Sequence, residues 1–475
     1  MAEGVRLASV AARGAAWSGL GTIVLRLSGL VVGIVLARIL TPEQFGVYAV
    51  ALTVQAILMT VADLGLSADL IRSDDPHRIA PTVATLGLVS GGLLTVGAVI
   101  TSGGLADLLG SPEAAPAIAV LSFTLLLGGI TVVPFAMLQR RFQQRELFLV
   151  GAVDFTVSTT VTLLLVVAGF GVMGLAIGRL AAQVVSTVLQ FALARVRPRF
   201  GIDRTVVRPV LAFGLPIAAA NLLSWALLNV DNIILARVVG ATALGYYVLA
   251  FNISNWPMSA LGQVVRSISL PYFSRSAGAD SGLVGLVALA WAGALPAGAV
   301  LAVLAAPLIE VVYGAKWLPA APVLAALGVY GSLRVVFDAF AGFLYSRGRS
   351  RPVLWIQIVS LIALIGAMIA ATTAWGIAGA AWSHVLVAVA IVLPAYLLAL
   401  RAAHVRLVPL VRAVWWPTVA AIPAAGAALA IRLSFDSAVL ALLLGGSAAV
   451  AVYGLLVGPW LRRRLPARPM TGVLP

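Results

Sequence analysis

The chain has 475 residues, 62% of them hydrophobic and only 10% charged, with a mean hydropathy of +1.08. A soluble core of that length cannot hide so much apolar surface, so lipid must be the solvent for much of it. The net charge of +15 leaves nucleic acid or an anionic membrane surface as its counterpart, and the absence of cysteine excludes disulfides and thiol chemistry.

A membrane-crossing helix needs roughly 20 apolar residues, and fourteen runs approach or exceed that length. The first six have cores at 14–37, 44–64, 81–103, 114–137, 148–168 and 171–194. No small-residue cleavage site follows the first run, which therefore reads as a retained span rather than a signal peptide. A basic connection, 195–209, separates these from the next six at 210–236, 243–264, 283–306, 320–345, 353–373 and 376–399. Two more, 413–431 and 437–459, precede a basic tail. The expected fold is an all-α integral membrane protein with 14 transmembrane helices.

The charge follows these spans. With the N-terminus inside, 24 of the 31 Lys and Arg residues fall on cytoplasmic segments, four on external ones (Arg38, Arg237, Lys316, Arg432) and three within spans. That asymmetry is the positive-inside signature and puts both termini in the cytoplasm. Trp17, Trp317, Trp355, Trp375, Trp415, Trp416 and Trp460 lie near span ends and read as interfacial anchors, not as a base-stacking platform. The charge therefore reads as topology and contact with anionic lipid headgroups, and nucleic acid is rejected as a partner.

The sequence repeats. VLARILTPEQFGVYAV (35–50) returns as ILARVVGATALGYYVL (234–249), with Arg38/Arg237, Gly46/Gly245 and Tyr48/Tyr247 identical at an offset of 199. A weaker match at an offset of 206 pairs Arg141 with Arg347 and Arg145 with Arg351. Because six spans intervene, the repeats are parallel, and a cleft between two such halves is a natural site for a transported substrate. The expected organisation is an N-lobe at 1–194, a cytoplasmic linker at 195–209, a pseudo-symmetric C-lobe at 210–400, and an appendage of two extra helices with a basic tail at 401–475.

Several residues do not belong in lipid. Arg26, Arg179 and Arg334 lie within spans, where a charge at the bilayer centre costs at least about 2.5–3.5 kcal/mol. Two readings stand for Arg26 and Arg179: a cationic patch that grips an anionic headgroup, or pairing with a buried carboxylate such as Asp154. For Arg334 the competing reading is neutralisation by Asp338 at i+4. Asp154, a turn and a half into its span, and Asp63, near a span end and before Gly65, are ion-coupling candidates, the latter alternatively a helix-ending residue. Asn221, Asn229, Asp231 and Asn232 form a polar patch that Asn252 and Asn255 of the next span can face. Such groups suit sugar hydroxyls and interhelical packing equally, with Asp231 a further ion-coupling candidate. Pro134, Pro216, Pro257, Pro296 and Pro394 lie inside spans as potential bending points.

No phosphate-binding loop, metal-ligand spacing or nucleophile arrangement is present, so neither an enzyme nor a cofactor is expected. The paired segments LARILTPEQFGVYAV with ADLGLSADLIR (62–72), and NVDNIILARVVGATALGYYVLAFNI (229–253) with LPYFSR (270–275), resemble polysaccharide (Wzx-type) flippases of the multidrug/oligosaccharidyl-lipid/polysaccharide exporter superfamily. The resemblance spans nearly the whole chain. It implies two six-helix lobes, and export of an undecaprenyl-pyrophosphate-linked oligosaccharide across a bacterial cytoplasmic membrane. It further implies a cationic cavity corresponding to Arg26, Arg179 and Arg334, and partnership with membrane lipids and with the polymerase and glycosyltransferases of the same pathway. A lipid II flippase for peptidoglycan is the first rival. A drug antiporter is disfavoured by the mid-span arginines, and a glycan polymerase by the short external loops.

Overall fold

Glycine and proline punctuation, together with short polar connections, cuts the apolar stretches into helices. The computed structural model describes residues 27–275 and 279–464, and those residues are helical apart from short connections. The helices are α1 (Leu27–Ile39), α2 (Pro42–Ala62), α3 (Leu66–Arg72), α4 (Pro76–Ile100), α5 (Ser102–Leu108), α6 (Ala115–Arg140), α7 (Gln144–Val167) and α8 (Gly171–Ala194). They continue as α9 (Arg204–Arg275), α10 (Ala279–Val303), α11 (Ala305–Val312), α12 (Ala321–Ser346), α13 (Ser350–Val387), α14 (Leu393–Ala402), α15 (Leu407–Ser434) and α16 (Ala438–Arg464).

Twelve helices among the described residues are long and apolar enough to cross a membrane. Large apolar side chains project from them, including Ile100 and Leu455, each 77% exposed, which only a hydrocarbon medium accommodates in such numbers. The stretch Ser350–Ala402 runs 53 residues, about 80 Å at 1.5 Å per residue and far beyond the roughly 30 Å hydrocarbon core. It is divided at Trp375 and Gly376, where Gly376 takes φ 59°. The 72-residue α9 is divided at Gly240, with φ 82° and ψ 175°.

Gly240 stands 199 residues after Thr41, so both breaks fall at the same place in the repeat. The first copy solves the problem with a capping box. Thr41 Oγ1 accepts from the Gln44 amide at 3.2 Å, and Gln44 Oε1 accepts from the Thr41 amide at 3.1 Å, with Pro42 opening the helix. The second copy uses a glycine whose positive φ other residues rarely adopt.

The prolines mostly leave the helical dihedrals intact. Pro134 and Pro296 lie inside α6 and α10, and within α9 only Gly240, not Pro216 or Pro257, departs from helical dihedrals. Pro394 does follow a distortion, the π-helical turn Ala388–Val392.

The chain clusters into two units that part between Gly245 and Tyr246. In the first, α4 packs along α6, and α8 along both α6 and α7. The α4–α6 crossing is glycine-on-backbone, since a Cβ on Gly129 would sit 2.0 Å from the Gly87 carbonyl oxygen. Leu66, Leu70, Val83, Val132 and Val133 fill the core beneath. In the second unit α10 packs along α12 and α15, and α15 along α16. Its core gathers on Phe337, Phe340 and Phe343 of α12. Trp317 belongs to that interior: it is fully buried and meets Tyr246 edge-on at 5.9 Å, so it is a packing residue and not an interfacial anchor. Trp355, Trp375, Trp415 and Trp416 are exposed.

The two motif copies touch. A Cβ on Gly46 would lie 1.7 Å from the Ala241 carbonyl oxygen, and one on Gly245 would lie 2.0 Å from that of Pro42. Residues 42 and 46 map onto 241 and 245 at the repeat offset, so the contact is reciprocal, as at a two-fold axis. Only glycine allows the backbones this close.

Candidate functional site

In the first unit α7 and α8 bring Asp154 and Arg179 together. Arg179 Nη1 donates to Asp154 Oδ2 at 3.0 Å, and Ser186 Oγ donates to the other carboxylate oxygen at 3.0 Å. The side chains remain 40% and 24% exposed, so the pair is reachable from outside the protein rather than sealed. Gly178 permits the approach, since a Cβ there would strike Thr162 Oγ1 at 2.1 Å. Tyr48 lies within Coulombic reach of Arg179. A guanidinium with one donor held by Asp154 and the rest of its fork accessible is suited to an oxyanion.

Asp63 stands just past α2, where Ser67 Oγ donates to it at 3.5 Å. Beside it is a cavity of about 290 Å³ lined also by Thr131, Phe135 and Gln190. Gln190 is buried and its Oε1 has no hydrogen-bond partner among the described residues. Gln190 ends a polar series at helical spacing on α8, after Arg179, Gln183, Ser186 and Thr187, which is the signal that marks it in the sequence.

In the second unit Arg334 Nη1 donates to Asn255 Oδ1 at 3.4 Å, joining two of the expected residues. Asp338 does not serve Arg334 as the i+4 spacing suggested. Its Oδ2 takes the Nη1 donor of Arg266 from α9, and Arg334 acts on it only through space. Spacing along one helix fixes proximity, but the rotamer goes to the donor that a neighbouring helix delivers.

His384 completes this region, although nothing in the sequence singled it out. It is buried, its Nε2 lies 2.9 Å from the Tyr247 hydroxyl, and its Nδ1 has no hydrogen-bond partner among the described residues. The Tyr330 ring tilts over it at 5.0 Å, with Arg334 within Coulombic reach. Tyr247 is the copy of Tyr48. Each motif tyrosine thus sits near a cationic or ionisable residue, Tyr48 near Arg179 and Tyr247 against His384.

The polar patch is less gathered. Asn221 and Asn252 are exposed, and Asn229 Nδ2 turns back to the Trp225 carbonyl at 2.9 Å. Asp231 is buried and accepts from the Asn232 amide at 3.0 Å. Arg26 lies outside the described residues.

This combination of membrane helices, a repeated motif and accessible mid-span cations is a transporter's inventory. The family described as polysaccharide biosynthesis protein matches residues 35–322, more than half of the chain. The chain belongs to that family. Among its relatives, the lipopolysaccharide biosynthesis protein WzxC of Escherichia coli is 29% identical over 71% of this chain and 70% of its own. The succinoglycan biosynthesis transport protein ExoT of Rhizobium meliloti is 27% identical over 70% and 69%. In fold, the chain is similar to the lipid II flippase MurJ in its inward closed conformation. That match has a TM-score of 0.77 at 12% identity, covering 94% of this chain and 99% of the other. A multidrug resistance MATE family transporter in the inward-facing conformation matches at 0.60 and 16%, covering 79% and 97%. The chain is therefore a multi-pass membrane transport protein of bacterial polysaccharide biosynthesis, and not an enzyme.

Proposed function

We propose that this transporter moves an undecaprenyl-pyrophosphate-linked oligosaccharide across the cytoplasmic membrane by alternating access. The chain would cross fourteen times with both termini in the cytoplasm. Dividing Ser350–Ala402 at Trp375–Gly376 and adding the apolar α1 to the twelve candidate spans supports that count. The lobes are 1–194 and 210–400, with 195–209 as the linker and 401–475 as the appendage. The observation that carries the reading is the half-exposed Arg179 paired with Asp154 inside a span.

The pyrophosphate binds Arg179, with Arg26 and Arg334 as further headgroup contacts, because a guanidinium fork matches phosphate oxygens and lowers the cost of desolvating them. Asp154 competes with the pyrophosphate for the same donor. That competition makes Asp154 an ion-coupling candidate. Asp231 and Asp63 are the other ion-coupling candidates. The glycan meets Asn221, Asn229, Asp231, Asn232, Asn252 and Asn255, while the lipid tail stays in the bilayer. A polymerase and glycosyltransferases of the same pathway act after and before it.

The test is mass spectrometry of polyprenyl-linked glycans from cells lacking this protein, complemented with wild type or Arg179→Ala. One pyrophosphate-linked oligosaccharide should accumulate with loss of a surface polymer, and only wild type should clear it. Clearance by the variant at the wild-type rate would overturn the headgroup assignment. Accumulation of lipid II alone would move the substrate to peptidoglycan precursor.

A further inference from the structure

Where α4 begins and α6 and α8 end on one side of the first unit, the connection 195–203 folds back over them instead of trailing into solvent. Thr85 Oγ1 accepts from the Gly201 amide at 3.0 Å and donates to the Gly201 carbonyl at 3.1 Å. Thr82 Oγ1 accepts from the Asp203 amide at 3.1 Å, and Arg78 pairs with Asp203 at 3.7 Å. Asp203 is held below its ordinary carboxylate value chiefly by hydrogen bonds from the Thr205 hydroxyl and amide, so it stays ionised and fixes the turn into α9. Arg195 adopts φ 52°, an uncommon left-handed conformation for a residue with a side chain.

Under this pinned strap is a cavity of about 430 Å³, within the span of small-molecule sites, about 300–1,000 Å³. Its rim carries Arg141, Arg195, Arg197 and Arg199, and no acidic residue is among its described lining. Arg141 is anchored through Nη1 to the Ala194 carbonyl at 2.8 Å. None of the four has a carboxylate partner among the described residues. The wall below is apolar, made by Ile130, Val133, Met137 and Phe191, and it runs into the membrane part of α6 and α8.

Topological charge alone does not call for a cavity. Solvated arginines satisfy the positive-inside bias on any flexible loop, whereas here hydrogen bonds hold the loop as a roof. A soluble anion would use the arginines and leave the apolar wall idle. We propose that this cavity binds the phosphate headgroup of an anionic phospholipid of the cytoplasmic leaflet, its first acyl carbons lying along the Ile130–Met137 wall. The site is separate from the Arg179–Asp154 pair and does not depend on what the transporter carries.

The experiment is native mass spectrometry of the purified full-length protein in mixed micelles with equal phosphatidylglycerol and phosphatidylethanolamine. Wild type should retain phosphatidylglycerol in excess. The double variant Arg197→Gln/Arg199→Gln should reduce that preference about thirtyfold, from about 1 kcal/mol for each arginine near the surface. Arg462→Gln/Arg463→Gln removes equal charge from exposed positions at the end of α16 and should leave the preference intact. Thr85→Val keeps every arginine but unpins the strap, and should lower the preference severalfold. An unchanged preference in Arg197→Gln/Arg199→Gln overturns the proposal, as does an equal loss in Arg462→Gln/Arg463→Gln, which would mean diffuse surface charge. Displacement of phosphatidylglycerol by inorganic phosphate would also overturn it. Displacement by polyprenyl pyrophosphate would instead make the cavity a loading site for the transported lipid.

Discussion

The Arg179–Asp154 pair admits two roles, and a double variant separates them. If Arg179 exists only to neutralise Asp154, removing both charges together is harmless. If it grips the headgroup, the double variant folds and fails to transport. The pair's worth lies between two limits. Exposed pairs contribute about 0.2–1 kcal/mol, and breaking a sealed pair costs about 3–5 kcal/mol. With side chains 40% and 24% exposed, about 1–2 kcal/mol is expected for Asp154→Asn in the midpoint of detergent unfolding. Arg179→Met/Asp154→Leu should recover most of that loss, because neither residue is left as a lone charge in an apolar span. Export should not recover. Losing a charge-assisted contact of about 1.5–3 kcal/mol weakens headgroup binding roughly ten- to hundredfold. The readout is the pool of polyprenyl-linked glycan beside the unfolding midpoint. Wild-type export by the double variant would refute the headgroup role and leave Arg179 as a structural counter-ion.

Gly46→Val should destabilise the protein by about 1–3 kcal/mol or more by overpacking, whereas Gly33→Val, with nothing within 4 Å of a Cβ, should be near neutral in the same thermal unfolding assay. Equal effects would show that the repeat contact is not close. Tyr247→Phe strips His384 Nε2 of its partner and should cost about 1–3 kcal/mol. Adding His384→Leu should return part of that, and a cycle with no coupling energy would mean that the pair does not interact. Arg266→Met should be more damaging than Arg334→Met, because Asp338 takes its bond from Arg266. The reverse ranking, measured by unfolding midpoint, would restore the i+4 pairing.

Much of the architecture could be read along the chain. Hydropathy sums over about twenty residues regardless of which way any side chain faces, so the long apolar runs were visible, and α4, α6, α7 and α8 fall where those runs stand. The repeat was legible because its residues serve backbone geometry. Thr41 with Pro42 starts a helix, Gly240 interrupts one, and Gly46 and Gly245 allow a close crossing.

What the sequence determined by itself is therefore an all-helical, duplicated membrane protein with cations at mid-span and a bias of positive charge. Partner choice was decided only by tertiary structure. Asp154 was a named partner for Arg179, but Ser186 as a second donor comes from the facing of α7 on α8. Asp338 turned to Arg266 on another helix, and His384 acquired Tyr247, because hydrogen bonding depends on angstrom-scale placement across helices that no one-dimensional spacing encodes. The basic connection before α9 shows the same division. Its charge was plain in the sequence, but its closure into a cavity required Thr82 and Thr85, two unremarked threonines more than a hundred residues upstream.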